Sequence, residues 1–328
     1  MRRHLSLVAA VVGGITLAGM VAPAPAVADP VRIAVNTWVG FGPLYLARDK
    51  GIFQKHGVDV ELVTVEKTAE KYAAFISGKY DMAAGGAGTS VIYITEPDQL
   101  QYVAGLDDSN GGDGVVAKNE ITSLADLKGK SVAVDMGGIS GFYLGALLKT
   151  AGLKFSDVKA IDMPSDDVGK QFISKQFDAG VTWEPYLTKA KGTDFGHLLI
   201  DSSATPGLLS DALIARKDFV AKHPKEVKAI VDSWNEAIDY YNANKQESIE
   251  IMAKAMGDWL KDPKVFAETL EGVRYYGASD NKTFFGSKAK PGPLYQTVKE
   301  AIAVWSELGK VKVKVKPEDM MNYDFVNG

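Results

Sequence analysis

Acidic side chains are concentrated in segments that follow predicted strands. Asp107, Asp108 and Asp113 share one polar, glycine-rich segment, and Asp135 and Glu184 each come directly after a short apolar run. Carboxylates that converge on one cleft need a cation, because like charges repel and resist the loss of water. This set of acids predicts a site that attracts positive charge. The same acids could instead cap helices or bind loop backbone, as aspartate does routinely.

Three aromatic side chains lie in neighbouring segments, namely Trp38, Phe41 and Trp183. An aromatic face attracts a cation, and a carboxylate binds a guanidinium group through two parallel hydrogen bonds. Carboxylates combined with aromatic faces therefore predict a small nitrogenous cation, such as a guanidinium or an amine, as the ligand.

An anion is the alternative ligand. Arginine is the usual clamp for a sulfonate, nitrate or phosphonate, and none of the six arginines falls in the predicted cleft segments. Predicted helix N-termini at Pro43, Thr89 and Ser140 could still hold an anion through backbone N–H groups. The residues alone leave the sign of the ligand's charge open.

Two strand–turn–helix units would position these side chains. The first has a strand at 31–35, a turn at 36–42 and a helix at 44–50; the second has a strand at 132–134, a turn at 135–141 and a helix at 142–151. Such units predict a mainly parallel first sheet. Ligands lie beyond the carboxyl ends of such strands, so both turns are expected to face the site.

Other segments complete the predicted order. A strand is expected at 100–106 and a loop at 107–114, and helices dominate beyond residue 218. Lysine and valine alternate over 310–316, which predicts a strand with one solvated face.

The string 31–89, with its run 75–89 into a glycine-rich turn, resembles the first lobe of substrate-binding proteins of ABC importers, in the nitrate, sulfonate and taurine branch. Residues 121–134 resemble the start of that family's second lobe. The resemblance implies an α/β, two-lobed fold of the periplasmic-binding-protein type II class, with a ligand cleft between the lobes. It places 29–113 and 211–328 in lobe 1 and 114–210 in lobe 2.

Segment 106–118 resembles members of the family that are associated with urea-carboxylase-type nitrogen pathways, which implies a guanidine-like solute. The triplet at 183–185, by contrast, recurs in the family whatever its ligand, so Glu184 discriminates little. The resemblance also implies partners, an ABC permease and its ATPase in the inner membrane, and a protein that works as a monomer.

The first 28 residues have the order of a signal peptide, with a basic pair, an apolar run and a small-x-small site at Ala26-Val27-Ala28. Cleavage after Ala28 and a periplasmic location are expected. The arginine pair leaves both the general and the twin-arginine export routes open. The chain has no cysteine, which excludes disulfides, thiolate metal sites, a cysteine nucleophile and a lipid-modified N-terminus.

Other functional classes fit the sequence less well. An enzyme on the same fold is a rival, but His56, His197 and His223 have no metal-binding spacing and no nucleophile elbow is present. A sensing domain would need a DNA-binding region or a transmembrane helix. The formal net charge of −4 and the lack of a basic stripe disfavour nucleic acid. The sequence therefore predicts a non-enzymatic solute-binding protein without a metal or other cofactor.

Overall fold

The computed structural model describes residues 29–184, 186–257 and 260–327, so the predicted signal peptide and Pro185 lie outside the described residues. Two β-sheets form its framework, one of six strands and one of five. The strands are β1 Val31–Val35, β2 Val60–Thr64, β3 Met82–Gly86, β4 Leu100–Ser109, β5 Asp113–Lys118, β6 Ser131–Val134, β7 Lys159–Asp162, β8 Ala179–Trp183, β9 Gly196–Asp201, β10 Ser210–Arg216 and β11 Val273–Tyr275.

The six-stranded sheet has the order β11-β4-β10-β3-β1-β2, and the five-stranded sheet has the order β7-β6-β8-β5-β9. The chain passes from the first sheet to the second through residues 110–112 and returns through residues 202–209. The predicted α/β class with two sheets is thus confirmed. The lobe boundaries given above stay a prediction.

Helices cover the sheets and join their strands. They are α1 Gly42–Asp49, α2 Ile52–Lys55, α3 Thr68–Ile76, α4 Ile139–Thr150, α5 Ser165–Ile173, α6 Tyr186–Lys191, α7 Lys217–Lys222, α8 Pro224–Ala243, α9 Lys245–Met256, α10 Pro263–Thr269, α11 Ala278–Phe285, α12 Pro293–Glu307, α13 Pro317–Met320 and α14 Asp324–Asn327. Pro43 lies in the first turn of α1, where its missing N–H costs nothing, and Gly51 follows that helix with φ +67°, a conformation glycine adopts freely.

The expectation of a mainly parallel first sheet is wrong. β1 runs parallel to β2 and β3, but the pairs β3–β10, β10–β4 and β4–β11 are antiparallel. The reason is that β10 enters from the second sheet and inserts between β3 and β4. A strand that returns from a distant part of the chain leaves no local signal of its direction.

The predicted loop at 107–114 is also mostly strand. β4 continues to Ser109, because Ser109, Asp108 and Asp107 pair with β11. β5 already begins at Asp113, which lies opposite Trp183 in β8. Only residues 110–112 remain as a turn between the sheets. Three acids expected on a loop are therefore held on rigid strands.

Residues 310–316 do not form the expected strand. Their alternation is nevertheless seen in burial, since the valines are half-buried against the core and Lys312, Lys314 and Lys316 are exposed. The pattern was right about the faces and wrong about the backbone hydrogen bonding.

One large apolar core surrounds the six-stranded sheet and extends to β5, β6 and β8 of the second sheet, where a smaller separate cluster also lies. Two buried tryptophans tie the C-terminal helices to the rest: Trp234 Nε1 donates to Tyr276 O at 2.8 Å and Trp305 Nε1 donates to Gly88 O at 3.0 Å. Among the described helices, none combines the length and the apolar character needed to cross a bilayer.

Candidate functional site

A small cavity lies where the two sheets meet. The carboxyl ends of β1, β3 and β8 border it together with the amino ends of the antiparallel strands β5 and β10. Its walls are formed by Asn36, Trp38, Phe41, Thr68, Lys71, Tyr72, Gly85, Gly86, Thr89, Asp113, Ile139, Trp183 and Asp211. Five of the ten residues predicted from the sequence are among them, namely Trp38, Phe41, Thr89, Asp113 and Trp183.

The cavity volume is about 40 Å³. A buried water needs about 10–15 Å³ on this scale, so the space takes only about three water-sized groups. A solute enclosed there must be very small.

Two glycines at the end of β3 keep the cavity open. A Cβ atom on Gly85 would come within 2.7 Å of Tyr72 Oη and 2.9 Å of Lys71 Nζ. One on Gly86 would come within 2.8 Å of Thr89 Oγ1 and 2.9 Å of Ile139 Cδ1. The absence of side chains at Gly85 and Gly86 is thus what leaves this space free.

Each sheet contributes one carboxylate to the cavity. Asp211 is the second residue of β10 and lies opposite Gly86 of β3, whereas Asp113 is the first residue of β5 and lies opposite Trp183 of β8. Both side chains are buried. A bound cation would therefore touch both halves of the molecule at once.

Burial raises the pKa of both carboxyl groups to about 7. For Asp211, the Lys71 ammonium opposes that rise, while Asp113 and Asp108 add to it by repulsion. For Asp113, a hydrogen bond from Ser109 opposes it and the charge of Glu184 adds to it. Buried carboxylates without a sufficient counter-charge resist ionisation, so this pair is poised to accept a cation.

Lys71 is the one cationic side chain among the wall residues named above. It is 2% exposed, and its ammonium donates to Asn36 Oδ1 at 2.6 Å and to Ala84 O at 2.7 Å. Both acceptors are uncharged. Burial lowers the pKa of Lys71 to about 8, against the favourable charges of Asp211 and Glu66.

Two hydroxyl groups in the wall are buried without a hydrogen-bond partner, Tyr72 Oη and Thr89 Oγ1. A buried hydroxyl that lacks a partner costs free energy. Together with the carboxylates, these hydroxyls offer a ligand several acceptors in different directions.

Asp107 lies behind the cavity rather than in its wall. It is fully buried on β4, and its Oδ1 accepts a 3.0 Å hydrogen bond from Trp38 Nε1, while Oδ2 has no partner. Burial raises its pKa well above the usual range, and Asp211 adds to the effect. Asp107 thus holds the indole of Trp38 in place, and Trp38 borders the cavity. The direct ligand contact of Asp107 stays a prediction.

Asp108 and Glu184 also lie outside the cavity wall. Asp108 Oδ2 accepts from the Gly207 N–H at 3.1 Å and its Oδ1 accepts from Ser210 Oγ at 3.4 Å. Glu184 accepts from the backbone N–H and the hydroxyl of Thr188, at 3.0 and 2.7 Å. These carboxylates fasten the returning segment and the start of α6, which is the capping role that aspartate and glutamate often take.

Asp135 and Ser140 are placed differently as well. Asp135 borders a second, wider hollow of about 610 Å³, which shares Thr68 and Trp183 with the cavity. It accepts from the Gly137 N–H at 3.0 Å. Ser140 is buried in the first turn of α4, where its hydroxyl bonds to that of Ser165 at 2.9 Å. The hydroxyl of Ser140 is thus occupied within the protein, and the role of the backbone N–H groups at this helix N-terminus stays a prediction.

Sequence reasoning missed five polar residues of the wall: Asn36, Thr68, Lys71, Tyr72 and Asp211. A signal for two of them was present. Lys71 shares the buried face of α3 with Tyr72 and Phe75, where a lysine is unusual, and Asp211 interrupts the buried run of β10. A charged residue in a buried position of an element is seldom found without a partner or a function.

The geometry offers little for catalysis. None of the predicted candidate histidines borders the cavity; His56 Nε2 lies 2.9 Å from Glu236 and His223 Nδ1 lies 3.4 Å from Glu226. Within the ranges described, no cluster of histidine, cysteine and acidic side chains could hold a metal ion.

The family model described as "NMT1/THI5 like" matches residues 38–248. A provisionally named binding protein of Brucella abortus is 28% identical over 313 residues, which are 92% of this chain and 94% of that protein. The taurine-binding periplasmic protein of Escherichia coli is 27% identical, covering 88% and 89% of the two chains. An enzyme is also related: the yeast 4-amino-5-hydroxymethyl-2-methylpyrimidine phosphate synthase THI11 is 26% identical over 62% of this chain and 63% of its own.

Among solved structures, the periplasmic aliphatic sulphonate binding protein SsuA of Escherichia coli superposes with a TM-score of 0.73 at 20% identity. The match covers 91% of this chain and 99% of that one. At this level of identity the comparison establishes the fold.

Proposed function

The chain belongs to the NMT1/THI5-like family, and from that premise we propose that it is the solute-binding component of an ABC importer, with a small nitrogenous cation as its solute. The relatives named for binding support the first part. The charge of the cavity wall supports the second part, the cationic solute.

One observation carries the proposal of a cation. The described wall of the cavity holds two carboxylates, Asp113 and Asp211, against one ammonium, that of Lys71. With all three ionised, the wall has one net negative charge. An enclosed site of low dielectric needs near neutrality, so a monocation is the complementary solute.

The size and faces of the cavity favour a guanidine-like compound. A guanidinium ion has four non-hydrogen atoms, which is close to the about three water-sized groups that a space of about 40 Å³ takes. Trp38, Phe41 and Trp183 supply aromatic surface for its planar face. Its N–H groups point outward in the plane, where the carboxylates and the unpartnered hydroxyls of Tyr72 and Thr89 can accept them.

A sulfonate, taurine or nitrate is the second candidate, and Lys71 is the observation that favours it. A buried ammonium could pair with an anionic head group if Asp113 and Asp211 were protonated. Burial gives both carboxyl groups a pKa of about 7, so an anion would be favoured only below that pH. The predicted anion contact through the backbone N–H groups at Ser140 stays a prediction.

An enzyme is the third candidate, because one relative is named as a synthase. It has less support, since the cavity wall includes none of the chain's histidines. As an importer component, the protein would be exported to the periplasm through cleavage after Ala28, act as a monomer and deliver its solute to a membrane permease driven by an ATPase.

Calorimetry on the chain from Asp29 onward tests the solute. The panel is guanidine, methylamine, taurine, an alkanesulfonate and nitrate, each kept far below concentrations that unfold proteins. We expect guanidine to bind, and at about 100 times its Kd to stabilise the protein by about 2.7 kcal/mol. Binding of taurine or a sulfonate without binding of guanidine would contradict the cation, and turnover of any bound compound would favour the enzyme.

A further inference from the structure

We propose that Lys71 is a specificity-determining residue that restricts the site to solutes carrying a single positive charge. The inference rests on the proposed function, because it concerns the same cavity and assumes a cationic solute. It goes further in assigning the selection of charge to a side chain that does not itself attract a cation.

The placement of Lys71 is the first argument. Its side chain crosses the buried face of α3 and ends in the cavity wall, 2% exposed, with Asn36 Oδ1 and Ala84 O as acceptors at 2.6 and 2.7 Å. An ammonium buried on two neutral oxygens is expensive. A methionine or leucine would fill this position on an apolar helix face at less cost, so the retained charge needs a reason within the site.

The second argument is the balance of charge. Without Lys71, Asp113 and Asp211 would leave the wall with two negative charges, and neutrality would require a dication or a proton. With Lys71, one positive charge is enough. Lys71 therefore acts as an internal counterion that offsets one of the two negative charges and leaves one for the solute.

The surroundings support this division of roles. Asp211 on β10 and Glu66 before α3 act on Lys71 by their charges, and burial is the dominant effect on its pKa. Asp113 on β5 and Asp108 on β4 act in turn on Asp211, and Asp211 acts on the buried Asp107 of β4. Lys71 is thus the positive member of a buried group of acids that interact with one another.

The test compares a monocation with a dication. Guanidinium and calcium are titrated by calorimetry into the wild type, Lys71→Met and Lys71→Gln, in a buffer whose pH lies between the pKa of about 7 of the two carboxyl groups and the pKa of about 8 of Lys71. The glutamine variant retains N–H donors for Asn36 and Ala84, and either variant suffices if the other fails to fold. We expect the ratio of guanidinium affinity to calcium affinity to be at least about tenfold lower in the Lys71 variants than in the wild type.

Lys79→Met is the matched control, since Lys79 is an exposed lysine that follows the same helix; it should leave the ratio unchanged. A purely structural role of Lys71 would weaken both titrations equally, so an unchanged ratio in the folded variants overturns the inference while leaving a guanidine-binding wild type intact. A wild type that binds taurine and not guanidine overturns the proposed solute and this inference together.

Discussion

Asp113 and Asp211 face each other from different sheets, and each is predicted to hold the solute directly. We expect Asp113→Asn and Asp211→Asn each to weaken guanidinium binding by at least about 30-fold, because removing one partner of a desolvated charge pair costs about 2–5 kcal/mol and 1.4 kcal/mol is one decade. Asp126→Asn is the control, since Asp126 is an exposed capping residue outside the cavity wall. Calorimetry measures all three, and wild-type affinity in both site variants would refute the assignment.

The raised pKa values predict how binding depends on pH. Both carboxyl groups are held near pKa 7 by burial, so they are largely protonated in mild acid and cannot hold a cation. Guanidinium affinity should therefore rise with pH and level off above about 7, with protons released on binding. Titrations in buffers of different ionisation enthalpy count those protons. An affinity that increases toward acid would indicate an anionic solute instead.

The same groups affect the stability of the unliganded protein with a defined sign. In the unfolded chain an aspartate loses its proton near its usual value of 3.8, whereas Asp113 and Asp211 keep theirs to about 7 when folded. The folded state binds more protons between these values, so its stability should fall as the pH rises through that window. Denaturant unfolding of wild type and the Asp211→Asn variant would reveal the difference in slope.

At the scale of elements, the end of β3 determines the size of the site. Gly86→Ala should weaken binding by at least about tenfold, because the new Cβ would lie within 2.8–2.9 Å of Thr89 Oγ1 and Ile139 Cδ1 and take up cavity space. Gly192→Ala is the control, since its new Cβ would lie 3.5 Å from the carbonyl oxygen of Thr188, an ordinary contact. Equal binding by wild type and Gly86→Ala would show that the solute lies elsewhere.

The elements also show what the sequence could and could not predict. The repeated strand–turn–helix units were recognisable because their signals are local, such as Pro43 at the start of α1 and Gly51 after it. The position of β10 between β3 and β4 was not, since it joins residues more than one hundred positions apart. Asp211 was missed for that reason, although it completes the site.

For the acids, the residue type indicated a site for positive charge, but the sequence did not indicate which carboxylates reach the cavity. Asp108 and Glu184 have the same composition-based signal as Asp113, yet their oxygens accept bonds from Gly207 and Thr188. Which carboxylate caps a segment and which faces a cavity depends on pairing across strands. That information resides in the register of β5 against β8, not in the segment itself.

At the scale of the whole molecule, contacts already join the two sheets around the cavity. Tyr93 Oη, in the segment after β3, donates to Gly137 O after β6 at 2.8 Å, and Lys149 of α4 pairs with Glu300 of α12 at 2.6 Å. We expect solute to favour this closed arrangement, so that the radius of gyration falls on addition of guanidinium. Small-angle scattering measures it, with Asp113→Asn as a variant that should not respond. An unchanged radius in saturated wild type would argue against closure.

Because the two carboxylates lie on different sheets, their charges also affect the arrangement of the protein without solute. When ionised and without a cation, Asp113 and Asp211 repel each other, and this repulsion weakly opposes closure of the two sheets. The solute is then the counterion that allows the two sheets to close, so that closure indicates a bound solute. Acid removes this repulsion by protonating both groups, and a molecule without solute could then adopt the closed arrangement.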